Sequence, residues 1–172
     1  STNLGPLKLK DLKNKDRVPE LEFFFSLSKT EKMIQFLFEK GFISSRGQRD
    51  LHIEGFMTGI IDLVFRRDGK YYLLDYKSNF LGANDISYNA ESLSHSMTRH
   101  DYHLQYLIYT VALHRMLKRD LASYSYEENF GGVYYFFLRG VDFEKTNGVF
   151  FTRPDQALIE KIDEYMSVNN EK

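Results

Sequence analysis

The stretch GFMTGIIDLVFRRDGKYYLLDYK, residues Gly55–Lys77, decides the fold of this chain. Its two halves, Gly55–Arg67 and Lys70–Lys77, are rich in β-branched and aromatic residues, which favours two strands. The pair Asp68-Gly69 joins them, and an Asp-Gly pair between such runs is typical of a type I′ turn, which needs positive φ at both central positions. We therefore predict an antiparallel hairpin that turns at this pair.

Two carboxylates, those of Asp62 and Asp75, lie within this hairpin. A two-residue loop places Asp62 directly opposite Asp75, with β-carbons about 5 Å apart on one sheet face. Because side chains alternate between faces along a strand, Lys77 lies on the same face as Asp75. Like charges opposite each other destabilise a sheet, so the pattern predicts a compensating divalent metal ion, helped by Lys77.

Apolar neighbours on both faces argue against the alternative that these carboxylates are solvated. The predicted face of Asp62 also carries Ile60, Val64 and Leu73. The opposite face carries Ile61, Leu63, Phe65, Tyr72 and Leu74. A strand pair that is apolar on both sides is typical of burial on both sides, and unpaired carboxylates are seldom buried because their desolvation is costly. A β-bulge would break the alternation and weaken this interpretation.

A predicted helix downstream supplies further polar residues. Residues Arg99–Arg119 have helical periodicity, with apolar side chains near one stripe at Leu104, Ile108, Val111 and Met116. Gln105 and Tyr109 are four positions apart, so they share a face beside that stripe.

Together these residues form a recognisable pattern. Asp62 on the first strand and Asp75-x-Lys77 on the second, followed by Gln105-x-x-x-Tyr109, resemble the PD-(D/E)xK nuclease superfamily and its RecB-type nucleases.

The resemblance extends over nearly the whole chain, from about Glu20 to Met166. The stretches GFMTGIIDLVFRRDGKYYLLDYKSNFLG, DYHLQYLIYTVALHR and FGGVYYFFLRGVD are similar to the C-terminal nuclease domain of exodeoxyribonuclease V beta subunits. This resemblance implies an α/β domain with a restriction-endonuclease-like central mixed sheet flanked by helices.

A metal site is also implied by the resemblance. Asp62 and Asp75 match the family's metal-binding carboxylates, and the backbone carbonyl of Tyr76 matches a further ligand. The expected ion is Mg²⁺, which Mn²⁺ or Ca²⁺ can replace in binding; whether one metal or two are bound stays open. The family takes another ligand, a His, from an upstream helix. His52 does not match that motif, so we expect the chain to begin after that helix.

The implied activity is metal-dependent hydrolysis of DNA phosphodiester bonds, exonucleolytic or endonucleolytic, by a deoxyribonuclease of the exodeoxyribonuclease V type. Lys77 matches the catalytic lysine, and Gln105 and Tyr109 match helix residues at the DNA end of the site. The implied setting is a helicase–nuclease in double-strand-break repair and recombination. Its partners are DNA, RecC- and RecD-like subunits and the RecA recombinase, and ATP acts only in a helicase portion outside this chain. The alternative is a non-catalytic protein-interaction module that contacts the recombinase or partner subunits.

Composition agrees with one domain of a larger assembly. The 172 residues are 42% hydrophobic and 16% aromatic, enough to fill a core. The net charge of −1 gives little autonomous attraction for DNA, because phosphate neutralisation supplies most non-specific affinity. We therefore expect the chain alone to be a weak or inactive nuclease.

Several classes of protein are excluded by what the sequence lacks. Without cysteine it has no disulfide, thiolate metal site or cysteine-held iron–sulfur cluster. It contains no G-x-x-x-x-G-K-[ST] phosphate loop, no apolar run of membrane-spanning length and nothing like a secretory signal. The resemblance implies a bacterial cytoplasmic location, and we expect no membrane binding.

The predicted layout is a poorly ordered lead-in at residues 1–19, the nuclease domain at 20–168 and a frayed end at 169–172. A strand is predicted at Glu20–Leu27, followed by a helix capped by Ser28 or Thr30. Further predictions are a buried strand at Gly132–Leu138 and a closing helix from Pro154 through Met166.

The segment Asn79–Thr98 is polar and long for a loop in a compact domain. We expect it to be a functional or mobile segment beside the site, from which Phe80 or Tyr88 could stack on a DNA base.

Overall fold

The computed structural model describes residue 9 and residues 12–27, 30–43, 55–142 and 147–167. Most of the expected lead-in, the frayed C-terminal end, Ser28 and His52 lie outside these described residues. Among the described helices, none combines the length and hydropathy needed to cross a bilayer.

Five strands within the described residues form a single mixed sheet in the order β1-β2-β3-β4-β5. Neighbouring strands are antiparallel except β3 and β4, which are parallel. Their bounds are β1 Arg17–Leu27, β2 Gly55–Arg67, β3 Lys70–Lys77, β4 Phe130–Phe137 and β5 Val149–Thr152. The predicted central mixed sheet is confirmed, whereas β5 was not predicted from the sequence.

Helices pack against one face of this sheet. Within the described residues they are α1 Thr30–Glu39, α2 Ala90–Arg99, α3 Tyr102–Asp120, α4 Tyr126–Asn129 and α5 Gln156–Met166. The larger core lies between these helices and the sheet. A smaller core covers the other face and contains Leu63, Phe65, Tyr72, Leu74, Tyr134 and Phe136. The apolar residues on both sides of β3 are therefore buried, as predicted.

The predicted hairpin is present with the predicted turn. Asp68 has a φ of 51° and Gly69 a φ of 80°, the positive values that a type I′ turn requires. The predicted register holds from the turn as far as the pair Leu63 and Leu74.

The pairing of Asp62 with Asp75 was predicted wrongly, because the β2–β3 ladder ends one position before it. Beyond that point Asp62 Oδ2 accepts a hydrogen bond from the backbone N–H of Tyr76, at 2.8 Å. The two carboxylates are therefore neighbours at the end of the ladder and are not a cross-strand pair.

Side chains of β2 do not alternate regularly between the two sheet faces near Asp62, and this irregularity explains why the predicted pairing fails. Ile61 and Val64 both belong to the larger core, although regular alternation puts residues three apart on opposite faces. Ile60, predicted on the buried face of Asp62, is 51% exposed. On β1 the residue at this level, Glu20, has a φ of 51°. Both strands depart from regular geometry beside Asp62, as strands often do near functional sites.

The edge strand β1 is longer than predicted. It begins at Arg17, so Arg17–Pro19 belong to the sheet and not to a poorly ordered lead-in. Pro19 is tolerated there because β1 is at the edge of the described sheet, where strand prolines are found.

The segment Asn79–Thr98 is more ordered than predicted. It contains a 3₁₀ turn at Asp85–Tyr88 and then most of α2, whose first turn is capped by Asn89 accepting from the Ser92 N–H at 2.9 Å. The helix predicted at Arg99–Arg119 corresponds to α3, which begins three residues later, at Tyr102; Arg99 is the last residue of α2.

The last helix begins slightly later than predicted. Pro154 precedes α5, and Asp155 caps it by accepting hydrogen bonds from two backbone N–H groups of the first turn.

Candidate active site

The end of β3 brings a buried carboxylate and an ammonium group together. Asp75 is 5% exposed, and Lys77 Nζ lies 2.7 Å from its Oδ2. No other hydrogen-bond donor in the described parts of the chain reaches that oxygen. Burial raises the pKa of the Asp75 carboxyl, and the ammonium of Lys77 opposes that rise. A second cation would therefore further stabilise the charged carboxylate.

Asp62 adds a second negative charge beside this pair. Its carboxylate acts in the same direction as burial, raising the pKa values of both Asp75 and Tyr109. Its hydrogen bond with the Tyr76 N–H holds it against the end of β3. The two carboxylates are thus close enough to interact, although the regular cross-strand pairing that predicted their proximity is absent.

Gln105 of α3 connects the lysine to the helix. Its Oε1 accepts from Lys77 Nζ at 2.8 Å and from the Tyr135 hydroxyl at 3.0 Å. Its Nε2 donates to the Tyr109 hydroxyl at 3.0 Å. The five side chains selected from the sequence therefore lie together, in a network that runs from the end of β3 to the face of α3.

Two aromatic rings that were not predicted from the sequence enclose the lysine. Lys77 Nζ lies 4.1 Å from the ring centroid of Tyr102 and 5.2 Å from that of Tyr135. Both are within the range of a cation–π attraction. Tyr102 is three positions before Gln105 on α3, a spacing that places them on one helix face. Tyr135 pairs with Asp75 in the parallel β3–β4 register, which no local pattern reveals.

A groove of about 320 Å³ opens beside this network, between the β1–β2 pair and α3. Gln105 and Tyr109 line one side, and Phe23 and Gly59 line the other. A Cβ at Gly59 would lie 2.3 Å from the Phe23 ring, so the ring occupies the place that a side chain there would need. The groove is at the small end of the size range of ligand sites and leads directly to the polar network.

The residues present fit a hard divalent cation. Two carboxylates meet at the end of β3, and carboxylate oxygens suit Mg²⁺, Mn²⁺ and Ca²⁺. No group of three or more His, Cys, Asp or Glu side chains in the described residues is arranged to hold a metal. Mg²⁺ is commonly bound through one or two carboxylates and retains several waters, so Asp62 and Asp75 satisfy its needs.

Comparison with known proteins agrees with this arrangement. The sequence matches the PD-(D/E)XK nuclease superfamily over residues 12–167. It is 44% identical over 166 residues to the RecBCD enzyme subunit RecB of Haemophilus influenzae, covering 95% of this chain and 14% of that protein. It is 50% identical over 115 residues to the Escherichia coli subunit of the same name, covering 66% of this chain and 10% of that protein.

A more distant relative is similar over about two thirds of the chain. The RecBCD enzyme subunit RecB of Mycobacterium tuberculosis is 38% identical over 125 residues, covering 68% of this chain and 11% of that protein. The chain thus spans between 10% and 14% of the length of these three relatives. The resemblance predicted from the motifs is confirmed, and the chain belongs to the PD-(D/E)XK nuclease superfamily.

Proposed function

We propose that this chain hydrolyses DNA phosphodiester bonds with a divalent metal ion, as the nuclease domain of a helicase–nuclease in double-strand-break repair and recombination. One observation carries the proposal. Asp62, Asp75 and Lys77 meet at the end of β3 beside Gln105 and Tyr109, in a chain that belongs to a nuclease superfamily.

The metal in this proposal is Mg²⁺, with Mn²⁺ or Ca²⁺ able to replace it in binding. Asp62 and Asp75 would hold it, together with the backbone carbonyl of Tyr76. When bound, such an ion polarises the phosphate and lowers the pKa of a water molecule.

Lys77 has the role of a charge stabiliser. Its ammonium lies 2.7 Å from Asp75 Oδ2 and is also held by neutral groups, the Gln105 amide oxygen and the faces of two tyrosine rings. These contacts fix the position of the ammonium, and the neutral ones do so without cancelling its charge. A cation preorganised in this way stabilises the negative charge that develops on a phosphate in the transition state, or orients the attacking water.

Gln105 and Tyr109 act as positioning residues for the lysine and the DNA backbone. Burial raises the pKa of the Tyr109 phenol, so its hydroxyl remains a neutral donor at physiological pH. The hydroxyl lies beside the groove, where it can donate a hydrogen bond to a phosphate oxygen.

The relatives are subunits of RecBCD enzymes. By this likeness we propose RecC- and RecD-like partner subunits, contact with the RecA recombinase, a bacterial cytoplasmic location and ATP hydrolysis in a separate helicase portion. No observation at the site favours the alternative of a non-catalytic interaction module.

The proposed function is tested by single-turnover cleavage with the chain in excess over an end-labelled single-stranded oligonucleotide. We expect slow cleavage with Mg²⁺ and none with EDTA, because the net charge of −1 gives weak DNA capture. Asp75→Asn, which removes a proposed ligand, should abolish the signal. Cleavage that persists in EDTA or in the Asp75→Asn variant would contradict the proposal. Absence of cleavage, together with no calorimetric binding of millimolar Mg²⁺ or Mn²⁺, would favour an interaction module.

The aromatic contacts of Lys77 predict a graded effect at Tyr102. Tyr102→Leu removes the closer ring and should lower the maximal cleavage rate about tenfold with KM unchanged, since a cation–π contact contributes up to about 2 kcal/mol. Tyr102→Phe keeps the ring and loses the 3.1 Å hydrogen bond from the hydroxyl to Asn79, so it should restore most of the rate. Equal defects in both variants, or a change in KM alone, would show that the ring does not position the lysine.

A further inference from the structure

An exposed aromatic ring stands next to the candidate active site on a fixed backbone. Phe80 is 67% exposed and follows Lys77 by three residues. Its neighbours on both sides are held by the buried Tyr88, whose hydroxyl accepts from the Leu81 N–H at 3.2 Å and donates to the Asn79 carbonyl at 3.5 Å. The Phe80 ring is therefore exposed although the backbone on both sides of it is held by hydrogen bonds.

A guanidinium group accompanies the ring. The Cζ of Arg139, just beyond β4, lies 5.8 Å from the Phe80 ring centroid, and its Nε donates to the Ser78 carbonyl at 2.9 Å. The adjacent Leu138 N–H donates to the Lys77 carbonyl at 2.9 Å. Ring and guanidinium are thus both attached to the backbone that carries the catalytic lysine of the proposed mechanism.

We propose that Phe80 and Arg139 form a nucleobase-stacking subsite for a single-stranded DNA end, an inference that rests on the proposed function. A base stacks on the Phe80 ring, and Arg139 binds a neighbouring phosphate. Sites that bind single strands without sequence preference combine aromatic stacking with cationic contacts to the backbone in this way.

The distance between Lys77 and Phe80 limits how far along the DNA strand the stacked base can lie from the phosphate at Lys77. Three residues of chain span at most about 10 Å, and stacked nucleotides rise about 3.4 Å along one strand. Together with the lengths of the two side chains, this places the stacked base within a few nucleotides of the phosphate at Lys77. A base inside an intact duplex cannot offer its face to the ring, so the subsite selects single strands or frayed ends.

Three other aromatic residues do not meet these conditions. Tyr88, the second stacking candidate from the sequence, is 2% exposed and serves as the anchor described above. Phe24 and Phe56 are exposed to a similar extent as Phe80, at 65% and 70%, but they stack on each other with centroids 5.0 Å apart. Phe56 therefore offers a matched control, since it is an exposed phenylalanine on β2 without a cation–π partner among the described residues.

The test measures binding of a labelled single-stranded oligonucleotide by fluorescence anisotropy, at low salt and in EDTA so that hydrolysis plays no part. Phe80→Ala should lower the affinity about fivefold or more, the expected loss for one stacked base. Phe80→Tyr, which keeps a ring, and Phe56→Ala should stay within about twofold of the wild-type affinity. Arg139→Gln should weaken binding and reduce its salt dependence.

A second set of oligonucleotides, each with one abasic position, makes the test specific. At the stacked position the abasic substitution should lower wild-type affinity by about the factor that Phe80→Ala causes, and it should have no further effect on that variant.

Unchanged affinity of Phe80→Ala, equal sensitivity to every abasic position, or no measurable binding by the wild-type chain would overturn the subsite. Because binding is measured without hydrolysis, failure of the cleavage assay would leave this result intact. Normal cleavage without any effect of Phe80→Ala would reject the subsite alone.

Discussion

Asp62→Ala should abolish metal-dependent DNA cleavage and leave the fold intact. The substitution removes one of the two carboxylates at the end of β3, and a lost metal ion costs several kcal/mol of transition-state stabilisation, about a thousandfold or more in rate. The fold survives because Asp62 is partly exposed and, among the described residues, accepts a single hydrogen bond, from the Tyr76 N–H, which water can replace. Without metal the stability should be unchanged or higher, since a negative charge next to buried Asp75 disappears.

Two further variants separate ligand loss from loss of the hydrogen bond. Asp62→Asn keeps an acceptor for the Tyr76 N–H and loses the charge, so it should be as inactive as Asp62→Ala. Glu22→Ala removes an exposed carboxylate from β1 and should keep the wild-type rate. Single-turnover cleavage and calorimetric titration with Mn²⁺ supply the two measurements. A rate for Asp62→Ala within about tenfold of wild type would rule out Asp62 as a ligand.

The hairpin was predictable from the sequence wherever its geometry depends on neighbouring residues. The Asp68-Gly69 pair determines the turn, and the turn determines the register up to Leu63 and Leu74. The prediction fails at Asp62 because the irregularity there is shared with β1, where Glu20 adopts positive φ. A distortion that involves two strands far apart in sequence leaves no periodic signal in either one.

The helix α2 was missed for a different reason. Its buried side consists of Leu93, Ser96 and Met97, so an apolar stripe is barely visible in the sequence. A local signal was nevertheless present, since Asn89 is a favoured N-cap residue and accepts from the N–H three positions later. Capping residues therefore carry information in polar segments where hydrophobic periodicity is weak.

The candidate site shows the same division between local and distant causes. Gln105 and Tyr109 were found because they match the family's Q-x-x-x-Y motif, whose four-residue helical spacing places them on one face. Tyr135 was not found because its contact with Gln105 and Lys77 depends on the parallel register of β3 and β4, which begin 60 residues apart. A crossover connection of that length makes strand pairing a property of the assembled sheet.

Lys77→Ala should lower the cleavage rate by a factor on the order of 10² or more, because it removes the preorganised cation that faces the phosphate. Metal affinity should not fall, since Lys77 is at present the cation bound to Asp75, at 2.7 Å, and its loss removes a competitor for that carboxylate. The substitution should instead lower the stability of the metal-free protein. Buried Asp75 is left without this partner, so the melting temperature without metal should fall.

Added metal should then raise the melting temperature of Lys77→Ala by more than it raises that of the wild type, because the ion supplies the charge that Asp75 has lost. Lys77→Met is the matched control, since it keeps most of the apolar stem and removes the charge that lies over the rings of Tyr102 and Tyr135. It should share the slow cleavage and the larger metal response of Lys77→Ala. A weaker affinity for DNA with an unchanged cleavage rate would instead identify Lys77 as a simple phosphate contact. In that case the neutral groups around its ammonium would serve DNA binding and not the chemical step.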